Sequence, residues 1–280
     1  MDNSPISQTN SIPIPPFWGS KCIDHIPLRA ILPYINRTAL YKLQWGVKFK
    51  DKTPAEYKIW AKSELDPILH RLIAQNEQEQ ILQPKAVYGY FPCQTVGNEL
   101  IIYHSLENLQ PRCQFHFPRQ TSQRQLCITD FFRSQKSSEI DVVAFQLVTV
   151  GQKASDFARE LFNNNHYQEY LYWHGLNAEA AEGLAEYLHQ RIRAEWGFAH
   201  EDARDIAEMM KQKYRGSRYS FGYPACPNLA DQDKILSLLN AERIGVTLGE
   251  ESQLWPEEST SAIVVHHPQA KYFNVGATID

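Results

Sequence analysis

The sequence predicts a fold of mixed helices and strands that is not of the doubly wound α/β class. Residues 86–91 and 99–103 alternate as strands around a Val-Gly-Asn turn at 96–98, which is the pattern of a β-hairpin. Residues 141–150 form a nearly continuous apolar run, typical of a central strand that is covered on both faces. Amphipathic helical patterns lie before and after these strands. Strands and helices do not alternate, and no glycine-rich first turn is present, which argues against the doubly wound class.

Length and composition are those of a globular protein. The 280 residues suffice for one large domain or two modest ones, with 43% hydrophobic and 21% charged residues. The net charge is −4 and there is no long basic run, so we expect no nucleic-acid partner. No apolar stretch has the length of a membrane span and no signal peptide is recognisable, so we expect no membrane partner and a cytoplasmic location.

The first 16 residues differ in composition from the rest. They are rich in Ser, Asn, Gln and Pro, which predicts a flexible Pro-rich linker over 1–16 and a folded domain over 17–280. An ordinary flexible terminus fits this composition equally well.

Capping residues and glycines define the expected helices. Asn36 is suited to cap a helix over 37–45, and a second helix is expected over 54–76. Ser155 is expected to cap a helix over 156–163. Asn177 is expected to cap a long helix that reaches Trp196 and stops at Gly197, after a short aromatic segment at 167–174. The remaining expected elements are strands at 114–118, 261–266 and 272–275, a short helix after 129–130, and helices over 203–214 and from 231 or 233 to about 244.

The long helix has two faces of different character. Its apolar stripe is Ala181, Leu184, Ala185, Leu188 and Ile192. A second row, spaced by three and four residues, is charged, and a solvated face is the default interpretation. This row comprises Glu182, Glu186, His189 and Arg193.

No nucleophile–base arrangement, phosphate-binding glycine loop or metal cluster stands out, so we predict no catalytic side chain and no metal. The five cysteines are scattered, which fits reduced thiols. His266 and His267 are adjacent on a predicted strand and therefore point to opposite faces, so they do not share an ion.

Residues 214–227 form the most distinctive stretch. Gly222, Pro224 and Pro227 predict a stiff loop that carries four aromatic rings and two arginines. Arg218 is suited to hold a carboxylate with two parallel hydrogen bonds. An acid such as Glu182 could receive an ammonium, and tyrosines such as Tyr223 could meet a flat base or a cation. A purely structural turn is the alternative interpretation.

The same stretch carries a family resemblance. Arg218 followed by the Gly-Tyr-Pro-Ala-Cys-Pro run at 222–227 resembles the signature of the activation domain of cobalamin-dependent methionine synthase. Further matches occur in order at 16–19, 34–45, 141–151, 157–162 and 185–189, so the resemblance extends from Pro15 to Val275. It implies a single α+β domain with a bent antiparallel sheet and flanking helices.

The resemblance also implies a binding site for S-adenosylmethionine. Asn36 stands where well-known members have an aspartate, so it offers no charge to the ligand's ammonium and leaves more of that role to Glu182. Position by position, the implied binding residues are Asn36, Glu182, Arg218, Ser220 (through its backbone), Tyr223, Tyr272 and Phe273.

The implied activity is that of one part of a methyltransferase in methionine biosynthesis. The domain would support reductive methylation of cobalamin held by a partner domain or subunit, with an electron from a flavodoxin-like donor. Modules for homocysteine, folate and cobalamin are absent, so the chain is not expected to make methionine alone, whether it is a separate subunit or an excised domain. The alternative function is a non-catalytic docking module that recruits a cobalamin protein or flavodoxin.

Overall fold

The structure is a computed structural model that describes residues 6–48, 53–121 and 124–276. The α-helices are α1 (Leu28–Ile31), α2 (Arg37–Ala39), α3 (Pro54–Glu64), α4 (Asp66–Glu79), α5 (Gln152–Asn163), α6 (Tyr167–Glu195), α7 (Ile206–Met209) and α8 (Asp231–Leu239). The strands are β1 (Gly19–Ile23), β2 (Lys85–Val96), β3 (Glu99–Tyr103), β4 (Pro111–His116), β5 (Asp141–Thr149), β6 (Ser217–Ser220), β7 (Thr247–Leu248), β8 (Leu254–Trp255) and β9 (Ser259–Val265).

Seven of these strands form one antiparallel sheet. The order is β4-β3-β2-β5-β9-β6, and β1 pairs with the first half of the long strand β2. Strand β5 lies between β2 and β9, and all its residues are buried, as expected for the apolar run at 141–150. The predicted hairpin is the β2–β3 pair. The α+β class, with an antiparallel sheet and flanking helices, is confirmed.

The sheet separates two hydrophobic cores, and this explains why β5 reads as continuously apolar. Val142 and Ala144 face one core, which includes the buried stripe of α6. Val143 and Phe145 face the other core, which includes α8. Successive side chains of a strand point to opposite faces, so a strand between two cores has no polar side. Each fully buried side chain of Val or Phe size contributes about 1.5–3 kcal/mol to the free energy of unfolding.

Helix α6 is the longest element, and it corrects two predictions. It runs without interruption for 29 residues, so Asn177 lies inside it and caps nothing. The Asn177 side chain is buried and donates from Nδ2 to the Ala154 carbonyl (3.1 Å), which ties α6 to α5. Helix α5 likewise begins at Gln152, after Gly151 at φ +93°, so Ser155 is an interior residue. The predicted stop at Gly197 is confirmed by its φ of +85°.

Other expected elements differ in extent. The helix predicted over 203–214 is only the four residues of α7, and the helix predicted over 54–76 is divided into α3 and α4. Residues 272–275 form no strand. Residues 217–220, expected in a loop, are strand β6, because their backbone pairs with β9. The stiff stretch therefore contains an edge strand of the sheet.

The N-terminal segment lies against the folded body where the structure describes it. Ile6 is buried in the α8-side core, and Gln8 donates from Nε2 to the Asp130 carbonyl (2.7 Å). Residues 1–5 of the predicted linker lie outside the described residues. The division between residues 16 and 17 stays a prediction. Within the described ranges, none of the helices combines the length and apolarity that crossing a bilayer requires.

Candidate functional site

A cavity of about 390 Å³ lies between helix α6 and the edge strand β6. The helix supplies carboxylates, the strand supplies a cation and hydroxyls, and the neighbouring loops supply aromatic rings. The lining residues are Glu182, Glu186, Met210, Gln212, Tyr214, Ser217, Arg218, Ser220, Tyr223 and Tyr272.

Strand β6 directs Arg218 into this cavity. Gly216 precedes the strand with φ +81°, and a Cβ at this position would lie 2.3 Å from the Val265 carbonyl oxygen, so only glycine fits the turn. Because side chains alternate along a strand, Arg218 and Ser220 share one face. Tyr219, between them, is fully buried in the opposite core and donates from its hydroxyl to the Lys271 carbonyl (2.9 Å). The buried Tyr219 thus fixes which side chains of β6 line the cavity.

Arg218 is paired with two carboxylates from successive turns of α6. Its Nη1 donates to Oε2 of Glu186, and its Nη2 lies 3.3 Å from Oε2 of Glu182. Burial alone would lower the pKa of Arg218, but the carboxylates of Glu186 and Glu182 raise it above its ordinary value. The guanidinium therefore stays charged, and a carboxylate that approaches it must compete with the two glutamates.

The two glutamates differ in access to solvent. The Glu182 side chain is 50% exposed and the Glu186 side chain 9%. Glu182 can therefore turn towards a ligand's cationic group at small cost, whereas Glu186 belongs to the floor of the site.

The charged row of α6 continues past Glu186 with His189 and Arg193, and these two residues are buried rather than solvated. His189 and Arg193 are essentially inaccessible, so the default interpretation of a solvated face is wrong for the second half of the row. Arg193 is bound by both oxygens of Asp202 (2.9 Å each), and its guanidinium carbon lies 4.0 Å from the Tyr214 ring centroid. Burial lowers the pKa of His189 well below its ordinary value, and nearby Arg193 lowers it further, so the imidazole is neutral.

Two exposed tyrosines form the rim of the cavity. Tyr223 is 54% exposed and Tyr272 is 41% exposed, and both line the cavity. The Tyr272 ring stacks on the Tyr219 ring at a centroid distance of 6.2 Å, so the core holds one side of it while the other side is open. Such rings offer flat surfaces to an aromatic base or to a cation.

Two residues of the predicted site lie outside this lining. Phe273 is buried in the α8-side core, where its ring contacts Tyr219 and Phe131, so only Tyr272 of the late aromatic pair lines the cavity. Asn36 caps α2, as predicted, because its Oδ1 accepts hydrogen bonds from the backbone N–H groups of Thr38 and Ala39 (3.1 Å each).

The structure thus brings five of the seven predicted residues together. They are Glu182, Arg218, Ser220, Tyr223 and Tyr272. Glu186, which makes the closest contact with Arg218, was not predicted as a site residue. Its spacing of four from Glu182 puts both carboxylates on one face of the helix, and this was the available signal.

A groove of about 530 Å³ adjoins the cavity and shares Glu182 and Tyr223 with it. Trp255, Glu250 and Glu257 also line this groove. The two hollows together can hold a ligand with a charged end and a longer, partly aromatic body.

A larger hollow of about 620 Å³ lies elsewhere, between α2 and α3. Its rim is basic, with Arg37, Lys42, Lys58 and Lys62. The Asp66 carboxylate in its wall is engaged by Arg37 (3.0 Å) and by the Tyr41 hydroxyl (2.6 Å). Size alone would favour this hollow, but the smaller cavity has the more distinctive chemistry.

The fold and the cavity are those of a domain suited to a small ligand that bears both charges. A solved structure described as the MetH reactivation domain bound to AdoHcy has the same fold, with a TM-score of 0.87 and 26% identity over 96% of this chain and 85% of that one. Methionine synthase of Mycobacterium tuberculosis is 42% identical over 287 residues, and that of Mycobacterium leprae is 42% identical over 277 residues.

The family model described as "Vitamin B12 dependent methionine synthase, activation domain" matches residues 27–280. The chain belongs to this family, as its signature predicted. The alignments cover 98% and 94% of this chain but only 24% and 23% of the two mycobacterial proteins, so it spans about a quarter of their length.

Proposed function

We propose that this domain binds S-adenosylmethionine in the Arg218 cavity and supports reductive methylation of cobalamin held by a partner domain of methionine synthase. The observation that carries the proposal is the charge arrangement of the cavity. One guanidinium and one accessible carboxylate, on facing elements, match the carboxylate and ammonium of an amino-acid ligand. The AdoHcy named for the structural relative is the demethylated form of this methyl donor.

Each residue of the cavity is assigned one part of the ligand. Arg218 is assigned the carboxylate, because a guanidinium can donate two parallel hydrogen bonds to it. Glu182 is assigned the ammonium, and its exposure leaves it free to turn towards that group. Tyr223 and Tyr272 are assigned the base or the sulfonium. Ser220 would contribute through the backbone of the edge strand. Asn36 and Phe273 are assigned no direct contact, because neither lines the cavity.

The contribution of the chain to the reaction is placement. When held by the partner domain, cobalamin would supply the reduced cobalt that serves as methyl acceptor, and a flavodoxin-like donor would supply the electron. The cavity residues fix the ligand's orientation, and the rim limits the access of water to the sulfonium. No side chain of the domain serves as a general acid or base, because methyl transfer from a sulfonium needs no proton. The setting would be methionine biosynthesis in the cytoplasm.

Isothermal titration with S-adenosylmethionine tests the proposal directly. We expect one site per chain with a micromolar dissociation constant. Absence of binding would refute the proposal and favour a docking module that only recruits a cobalamin protein or flavodoxin. A titration with ATP, which shares the adenosine but has no amino-acid part, is the matched control and should give no comparable heat.

A further inference from the structure

Glu186 lies between two arginines, and only one of them is fully paired with it. Its Oε2 accepts a hydrogen bond from Nη1 of Arg218 at the floor of the cavity. Its Oε1 lies 3.7 Å from Nη1 of Arg193, which is within ion-pair range but too long for a hydrogen bond. The carboxylate therefore has a second cation within reach of a small movement.

The facing atoms of this second pair have unused bonding capacity. Within the described part of the chain, neither Oε1 of Glu186 nor Nη1 of Arg193 has a hydrogen-bond partner, although both atoms are buried. Buried polar atoms without partners are unfavourable, so a shift that joins these two atoms is favourable at that point.

Arg193 is held in place on its other sides. Its Nε and Nη2 are bound by Asp202, and its guanidinium lies over the ring of Tyr214. It is also outside the lining of the cavity. In any exchange of partners the Glu186 carboxylate is therefore the group that moves.

We infer that Glu186 is a positioning residue that exchanges partners when the ligand binds. The ligand's carboxylate takes the place of Glu186 on Arg218, and the displaced Glu186 carboxylate moves onto Arg193. The inference rests on the proposed function, since it requires an anionic ligand group on Arg218. Only a ligand that carries a carboxylate drives the exchange, and it does so in competition with Glu186 for Arg218.

Glu186, rather than Glu182, fits this role. Glu182 is half exposed, its distance to Arg218 is the longer of the two, and it is assigned to the ligand's ammonium. Glu186 is nearly buried and would be left unpaired after displacement if Arg193 were not beside it. Arg193 thus compensates for the lost pair.

Two ligands separate the effect of the carboxylate from all other contacts. S-adenosylmethionine and its decarboxylated form differ in that group alone, so the ratio of their dissociation constants measures the carboxylate's contribution. In Glu186→Gln, Arg218 is freed from its main competitor, and we expect the preference for the carboxylated ligand to rise about tenfold. Glu182→Gln is the matched control, since it should weaken both ligands together and change the ratio much less.

A second measurement uses the unaltered protein and is independent of how Glu186→Gln folds. NMR of the arginine side-chain Nε–H groups follows Arg193 and Arg218 during titration. We expect S-adenosylmethionine to shift both signals and the decarboxylated form to leave the Arg193 signal in place.

The outcomes are distinguishable from failure of the proposed function. If the unaltered protein binds neither ligand, the proposed function fails and the inference fails with it. If it binds both, but the ratio is unchanged in Glu186→Gln and Arg193 does not respond selectively, only the partner exchange is overturned.

Discussion

The two most contrasting regions of the surface are the large hollow between α2 and α3 and the smaller cavity between α6 and β6. The large hollow has a volume of about 620 Å³, a basic rim and, among its described lining residues, one carboxylate that is already bound. The smaller cavity has about 390 Å³, a cation, two carboxylates and two open tyrosine rings. A ligand with one sign of charge fits the first, whereas a ligand with both signs fits the second.

The two hollows also differ in how firmly neighbouring residues hold their charged side chains. The cavity's charged groups continue into a buried row in which Arg193 and Asp202 hold the helix to its neighbours. The Arg37–Asp66 pair of the large hollow has a half-exposed arginine, and solvent weakens such a pair. Specific recognition needs fixed charges, so the difference in support predicts which hollow is selective.

The largest effect is expected from Arg218→Ala. The change removes the group assigned to the ligand's carboxylate and leaves Glu186 without its main partner. We expect the dissociation constant for S-adenosylmethionine to rise about 100-fold, because truncating one partner of a buried charged pair costs about 2–5 kcal/mol. Calorimetry measures this, with circular dichroism to confirm folding. Unchanged affinity would mean that the cavity is not the site.

A smaller loss is expected from Glu182→Gln. The amide keeps the size of the side chain and its acceptor oxygen but loses the charge, and the exposed setting limits the effect to about fivefold in affinity. Titrations at low and high salt sharpen the result, since the difference between variant and parent should shrink as salt screens the charge. A loss that is independent of salt would argue against an ionic contact.

A modest effect is expected from Tyr223→Leu. Leucine retains apolar bulk but loses the aromatic face, and aromatic contacts contribute about 0.5–1.5 kcal/mol, so affinity should fall about threefold to tenfold. Tyr167→Leu is the matched control, because Tyr167 is similarly exposed (52%) but does not line the cavity. Equal losses in both variants would show that the rim ring has no specific part in binding.

No effect on ligand affinity is expected from Arg37→Ala in the large hollow. The substitution removes the half-exposed ion pair with Asp66, which contributes about 0–1 kcal/mol to stability. Titration with S-adenosylmethionine should match the unaltered protein within about twofold. A loss comparable to that of Arg218→Ala would reverse the ranking of the two hollows.

Local patterns were sufficient for the parts of the fold that depend on near neighbours. The apolar run at 141–150, the hairpin turn at 96–98 and the stop at Gly197 follow from periodicity and backbone preference, and all are present. The caps proposed for Ser155 and Asn177 were wrong because distant partners use those side chains. Ser155 donates to Glu258 (2.7 Å), and Asn177 donates to the backbone of the neighbouring helix.

The candidate site shows the same limit. The motif around Arg218 and the spacing of Glu182 were visible in the sequence, but the buried state of the row below them was not. Glu186 finds its partner 32 residues away on β6, and no local pattern indicates such a pairing. A solvated row and a buried row of charged residues have the same spacing along a helix. They differ only in whether residues distant in the sequence pair with them.

The position of Arg218 and Ser220 on β6 has a consequence for how this site tolerates change. β6 is one of the two edge strands of the β4-β3-β2-β5-β9-β6 order, so the side that does not pair with β9 presents main-chain groups to whatever lies beside it. Peptide groups are the same in every residue type and cannot be deleted by substitution. Ligand recognition through these main-chain groups would therefore tolerate many side-chain substitutions on β6. Gly216 is the exception, because the turn before the strand has no room for a Cβ.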